Sequence, residues 1–101
     1  MIKINVKETD KILSVKVLGH ANYSEKGTDI VCAGISSIVT TTINGILSID
    51  NKAITYENKE GFISIENVKQ DNVTNELLNN MLNMFSDLES KYPKNIQMKR
   101  G

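Results

Sequence analysis

Cys32 and His20 are the only cysteine and histidine in this 101-residue chain. They stand twelve positions apart in the run Gly19-His20-Ala21-Asn22-Tyr23-Ser24-Glu25-Lys26-Gly27-Thr28-Asp29-Ile30-Val31-Cys32-Ala33-Gly34. A thiol in the first turn of a helix meets the positive end of the backbone dipole, which favours thiolate. An imidazole brought to it by a loop can take or return a proton near neutral pH. The pair points to acyl transfer. Cys32 would be the nucleophile, His20 the general base or ion-pair partner, and amides at the helix start the oxyanion donors. Against this stands a plainer alternative, because loose Cys/His pairs are common. In that reading Cys32 is a small buried hydrophobe and His20 a hydrogen-bonded loop residue.

The neighbouring elements decide whether the two can meet. Residues 12 to 18 alternate apolar and polar side chains as a strand does, with Leu13, Val15 and Val17 on one face. Gly19 ends the strand, and residues 20 to 28 form a loop carrying His20, with Gly19 and Gly27 supplying backbone freedom. Thr28 or Asp29 can cap the helix that follows. Asp29 is also a candidate orienting carboxylate for His20. Val31, Ile35, Ile38, Val39, Ile43, Ile46 and Leu47 recur at three- and four-residue spacing, and their β-branched character means that packing must hold the helix. Ser36, one turn beyond Cys32, either supports the site or bonds to its own helix backbone. Tyr23 is either a lid over an apolar substrate or an ordinary loop tyrosine.

The remaining elements follow from the same patterns. Residues 2 to 7 alternate and pair with 12 to 18 as a hairpin across Glu8-Thr9-Asp10-Lys11. Residues 52 to 58 and 62 to 68 form a second hairpin around Glu60-Gly61, with Ile54, Tyr56, Ile63 and Ile65 as the apolar positions. Asp71-Asn72 can cap a second helix with Val73, Leu77, Leu78, Met81, Met84, Phe85 and Leu88 on one face; Met81 and Met84 read as core filler. Pro93 stops that helix, and residues 95 to 99 add an edge strand through Ile96 and Met98. The order ββαββαβ predicts a single α+β domain over residues 1 to 101. Its largely antiparallel sheet carries both helices on one face.

Composition narrows the function. Twelve basic and twelve acidic residues cancel, no basic run stands out, and there is no aromatic platform, so nucleic-acid binding is not expected. Lys99-Arg100 read as solvated. The amino terminus lacks the apolar stretch of a secretory signal, and a lone cysteine suits a reducing cytoplasm. One Cys and one His cannot fill a zinc site without carboxylates, so no metal or cofactor is expected. Residues 30 to 49 carry no charge but too many Ser, Thr and Asn for a membrane span. Such a helix is expected to be covered on most sides, either by a symmetric partner or by lying between the sheet and the second helix.

Gly19-His20-Ala21 followed by Gly27-Thr28-Asp29-Ile30-Val31-Cys32-Ala33, with Ser36, Asn44 and Gly45 downstream, closely resembles the ribosomal-processing cysteine proteases of bacteria, often called Prp. The resemblance is specific over residues 19 to 47. It implies a homodimeric cysteine protease that removes a short N-terminal extension from large-subunit ribosomal protein twenty-seven, cutting after a pair of phenylalanines. By matching residues, Cys32 is the nucleophile, His20 its partner, and Gly19 the hinge of a loop that reorders on substrate binding. Gly34 departs from the alanine that many relatives carry. A second expectation, from a different class, is a non-catalytic α+β module that binds ribosomal proteins or assembly factors.

Overall fold

In the computed structural model, which describes residues 1–19 and 30–101, five strands and two helices alternate as expected. They are β1 (Ile2–Glu8), β2 (Ile12–Leu18), α1 (Ile30–Ile49), β3 (Ile54–Lys59), β4 (Phe62–Asn67), α2 (Asn72–Lys91) and β5 (Ile96–Arg100). One sheet forms in the order β3-β4-β2-β1-β5. Only β1 and β5 run parallel; the other neighbours are antiparallel. Each helix therefore joins two strands of like direction, β2 to β3 and β4 to β5. The two crossovers start from oppositely directed strands and move in opposite directions across the sheet. Right-handedness then places both helices on the same face.

That face holds the core. Ile2, Ile4 and Val6 of β1, Val15 and Val17 of β2, and Ile63 and Ile65 of β4 are buried beneath the helices. From above, Val31, Ile35, Val39, Ile43 and Ile46 of α1 meet Leu78, Met81, Leu82 and Phe85 of α2. The Asp71 carboxylate caps α2, accepting from the Thr74 N–H at 2.8 Å. At the other end the Tyr92 N–H donates to Leu88 O, and Pro93 follows. Gly61 takes a φ of +74°, which the two-residue turn between β3 and β4 requires.

Several expectations are corrected. The β1–β2 register passes from Lys7↔Ser14 to Glu8↔Ile12, so Leu13 is the extra residue of a β-bulge. The bulge flips the alternation: Ile12 fills the core position expected for Leu13, which is only half-buried. Backbone groups of Ile12 are taken up by asparagines. Its N–H donates to Asn75 Oδ1, and its carbonyl accepts from Asn67 Nδ2, both at 2.8 Å. Asn67 Oδ1 also accepts from the Gln70 N–H, where the backbone adopts a φ of +54°. Asn67→Ala is expected to lower stability by about 1–3 kcal/mol, since a buried carbonyl and a turn amide lose their partners. Urea unfolding with an unchanged m-value would measure it.

Further along the chain, Met84 is exposed while Met81 is fully buried, so only one of them fills the core. Arg100 is not simply solvated: its guanidinium donates twice to the Glu8 carboxylate and holds that carboxyl below the usual range. The α1 helix is long and apolar enough to cross a bilayer by length and composition, yet Val31, Ile35, Val39, Ile43 and Ile46 are buried in the core of the domain. It lies beside α2 rather than between α2 and the sheet. Its outer stripe of Ala33, Ser37, Thr40, Thr41, Asn44 and Ser48 is therefore exposed in the single chain.

Candidate active site

The position of Cys32 follows from how α1 is anchored. Val31 and Ile35 are buried against the sheet, and a residue next to Val31 is rotated by about 100° around the helix. Cys32 therefore falls on the flank, half-buried, as the third residue of α1. Its amide belongs to the first turn, where N–H groups point out of the helix end. Ser36 lies one turn on, along the same flank.

Both side chains line a cleft of ≈ 350 Å³. Its floor is apolar, built from Ile2, Val17, Ile35 and Ile63, and its far wall is the β3–β4 turn from Asn58 to Phe62. The cleft is open because β3 runs out beyond the helices. Only Ile54 of that strand is buried, and Tyr56, expected on the apolar face, is 48% exposed. An extended apolar segment can lie between α1 and this turn with its side chains on the floor, and the thiol stands at its edge.

Gly19 lines the same cleft. Its φ is +89°, and a Cβ on it would sit 2.6 Å from the carbonyl oxygen of Met1. Its N–H donates to Gly61 O at 2.9 Å, tying the end of β2 to the turn that forms the far wall. The structure thus brings Cys32, Ser36 and Gly19 to one cleft. His20, Tyr23 and the candidate caps Thr28 and Asp29, with the rest of the 20–28 loop, lie outside the described residues. Gly34 faces α2, where an added Cβ would make ordinary contact with Leu88 Cδ1 at 3.4 Å.

The far wall was missed by sequence reasoning. Glu60-Gly61 is recognisable as a turn, but only the pairing of β4 with β2 carries it across to the thiol. A cysteine in a cleft wall at a helix start should react in the folded protein. Iodoacetamide is expected to alkylate Cys32 with a midpoint below about pH 8.5, the value of an unperturbed thiol. Negligible reaction before unfolding would mark a structural cysteine instead.

The profile of the family described as "Cysteine protease Prp" matches residues 1–97. The ribosomal processing cysteine protease Prp of Staphylococcus aureus is 32% identical over 100 residues, covering 96% of this chain and 94% of its own. The Bacillus subtilis protein of the same name is 41% identical over 49 residues, covering 46% of this chain and 44% of its own. The crystal structure of the S. aureus protease with a covalently linked product peptide superposes with a TM-score of 0.92 at 28% identity, over the whole of both chains. The same protease with a substrate peptide gives 0.87 at 27% identity, again over both whole chains.

Proposed function

This chain belongs to the cysteine protease Prp family, and from that premise we propose that it removes the N-terminal extension of large-subunit ribosomal protein twenty-seven, cutting after a Phe-Phe pair. The observation that carries the reading is the cleft: a thiol at the start of α1 overlooks an apolar floor, and Gly19, the residue before His20, lines the same cleft. In this reading the Cys32 thiolate adds to the carbonyl carbon of the second phenylalanine, and amides of the first helical turn stabilise the oxyanion. The C–N bond breaks, the amine leaves with a proton from His20, and a thioester remains. Water then hydrolyses the thioester, its proton passing to His20, and the thiolate is regenerated. Asp29 as the group that orients His20, and Ser36 as a support for the site, belong to the same proposal.

The non-catalytic alternative loses its ground with the family assignment. The reading extends to a homodimer in the cytoplasm, where ribosomes assemble. Support for the dimer is the uncharged outer stripe of α1, bounded by Ile30 and Ile49 at 55% and 65% exposure; a two-fold mate would cover it. Mass spectrometry of the extended ribosomal protein incubated with the enzyme is expected to give one product, starting directly after the two phenylalanines. Cutting elsewhere, or none, would overturn the substrate. Sedimentation equilibrium of the enzyme is expected to give twice the 11.3 kDa chain mass; a monomer would overturn the dimer.

A further inference from the structure

No described helix covers the sheet face turned away from α1 and α2, and strand pairing decides which charges meet on it. Side chains alternate along a strand, so β1 presents Lys3, Asn5 and Lys7 outward while Ile2, Ile4 and Val6 are buried. The register sets Lys16 of β2 on one side of Asn5 and Lys99 of β5 on the other. Strand spacing puts these two about 10 Å apart across the sheet, with Lys3 and Lys7 about 7 Å along β1 to either side of Asn5. All four lysines are exposed. Among the described residues, no salt bridge uses any of them. No acidic residue shares this face of β1, β2 or β5; Glu57 stands on the far strand β3, and Glu66 of β4, opposite Ser14, borders the patch beside Lys7 and Lys16.

We propose that this face docks the phosphate backbone of RNA. Four lysines on neighbouring strands, with no ion pair among the described residues and only Glu66 bordering them, repel one another in the free protein. A polyanion relieves that repulsion and gains entropy as its counterions are released. Asn5 and Gln97 stand between the lysines as neutral donors suited to phosphate oxygens. The sole aromatic on the outward face of the described strands, Phe62, is half-buried on β4. Contact therefore runs through backbone charge rather than base stacking and does not depend on sequence. An anionic membrane fits less well, because the apolar residues beside the lysines, Leu13, Leu18 and Phe62, are half-buried and form no exposed face to enter the lipid. The zero net charge conceals the patch: its counterweight includes the exposed Glu76 and Asp87 of α2, on the helical side. Nothing in the inference depends on the cleavage reading, since Cys32 lies on the opposite side of the sheet.

Fluorescence anisotropy with a labelled RNA hairpin tests it directly. Wild-type protein is expected to bind with log K falling against log salt at a slope of about −3 to −4, a loss of roughly 60- to 250-fold between about 50 and 200 mM salt. The double variant Lys16→Glu/Lys99→Glu should lose at least about tenfold in affinity and about half of that slope. Lys91→Glu/Lys94→Glu, off the face, should bind as wild type, and an unrelated hairpin should bind equally well. Thermal melts confirm that the variants fold. The proposal is overturned if wild type fails to bind at the lower salt, or if the folded double variant binds undiminished. Binding to phosphatidylglycerol vesicles but not to RNA, or self-association through the lysines in place of RNA binding, would overturn it equally.

Discussion

Cys32→Ala is expected to reduce kcat/KM for the extended ribosomal protein by roughly 10⁴- to 10⁶-fold, the scale set by removal of a nucleophile from a hydrolase dyad or triad. That corresponds to about 5–8 kcal/mol of lost transition-state stabilisation. Folding should survive. Cys32 is half-buried at the cleft edge and touches the core only at its margin, and alanine is the better helix former. The melting temperature should move by no more than a few degrees, while cleavage by the quenched peptide assay disappears. Cys32→Ser separates chemistry from packing. It keeps nearly the same volume but leaves a hydroxyl that a helix start cannot ionise, so it should be as inactive as alanine. A Cys32→Ala protein retaining full activity would remove the nucleophile assignment, and with it the dyad.

The parts of this architecture that were legible in the sequence are those fixed by local chemistry. Ile2, Ile4 and Val6 against Lys3, Asn5 and Lys7 give a strand with one buried side, and that is how β1 lies. Asp71 before an amphipathic run gives a capped helix, and its carboxylate accepts from Thr74. Illegible features all depend on which segments become neighbours. The bulge at Leu13 rests on Asn67 and Asn75, more than fifty residues away, which take up the backbone groups of Ile12. Tyr56 fits the alternation but is exposed because no helix reaches the helix-side face of β3 at that height. Lys3, Lys7, Lys16 and Lys99 form no run in the chain, so a search for basic stretches passes over them; parallel pairing of β5 with β1 gathers them. At the site, a cysteine at a helix start was readable from its spacing, whereas the wall opposite it was not. The same limit applies to Gly19, whose position before His20 suggested a hinge but not what it is fastened to.

Gly19→Ala should therefore cost both stability and cleavage, for two separable reasons. The φ of +89° lies where an L-residue is strained, at about 1–2 kcal/mol. In addition the new Cβ would stand 2.6 Å from the Met1 carbonyl oxygen, a backbone atom that cannot rotate aside as a side chain would. Either the first residue of the chain moves or Gly19 does. If Gly19 moves, its 2.9 Å bond to Gly61 O is stretched, and the end of β2 separates from the turn that walls the cleft. A combined loss of about 1–3 kcal/mol would lower the melting temperature of a domain this size by roughly 5–20 °C. Cleavage should fall further than stability alone explains. At a temperature where both proteins are fully folded, kcat/KM is expected to be reduced by at least about 10²-fold, because in the proposed dyad a shift of Gly19 carries the next residue, His20, with it, and misplacement by about an ångström is costly. The two effects can be uncoupled by placing Asn67→Ala beside it as a control. That variant should melt earlier yet cleave normally when folded, since its hydrogen bonds go to Ile12 and Gln70 and none of these residues lines the cleft. Wild-type kcat/KM in folded Gly19→Ala would show that this glycine serves only the fold.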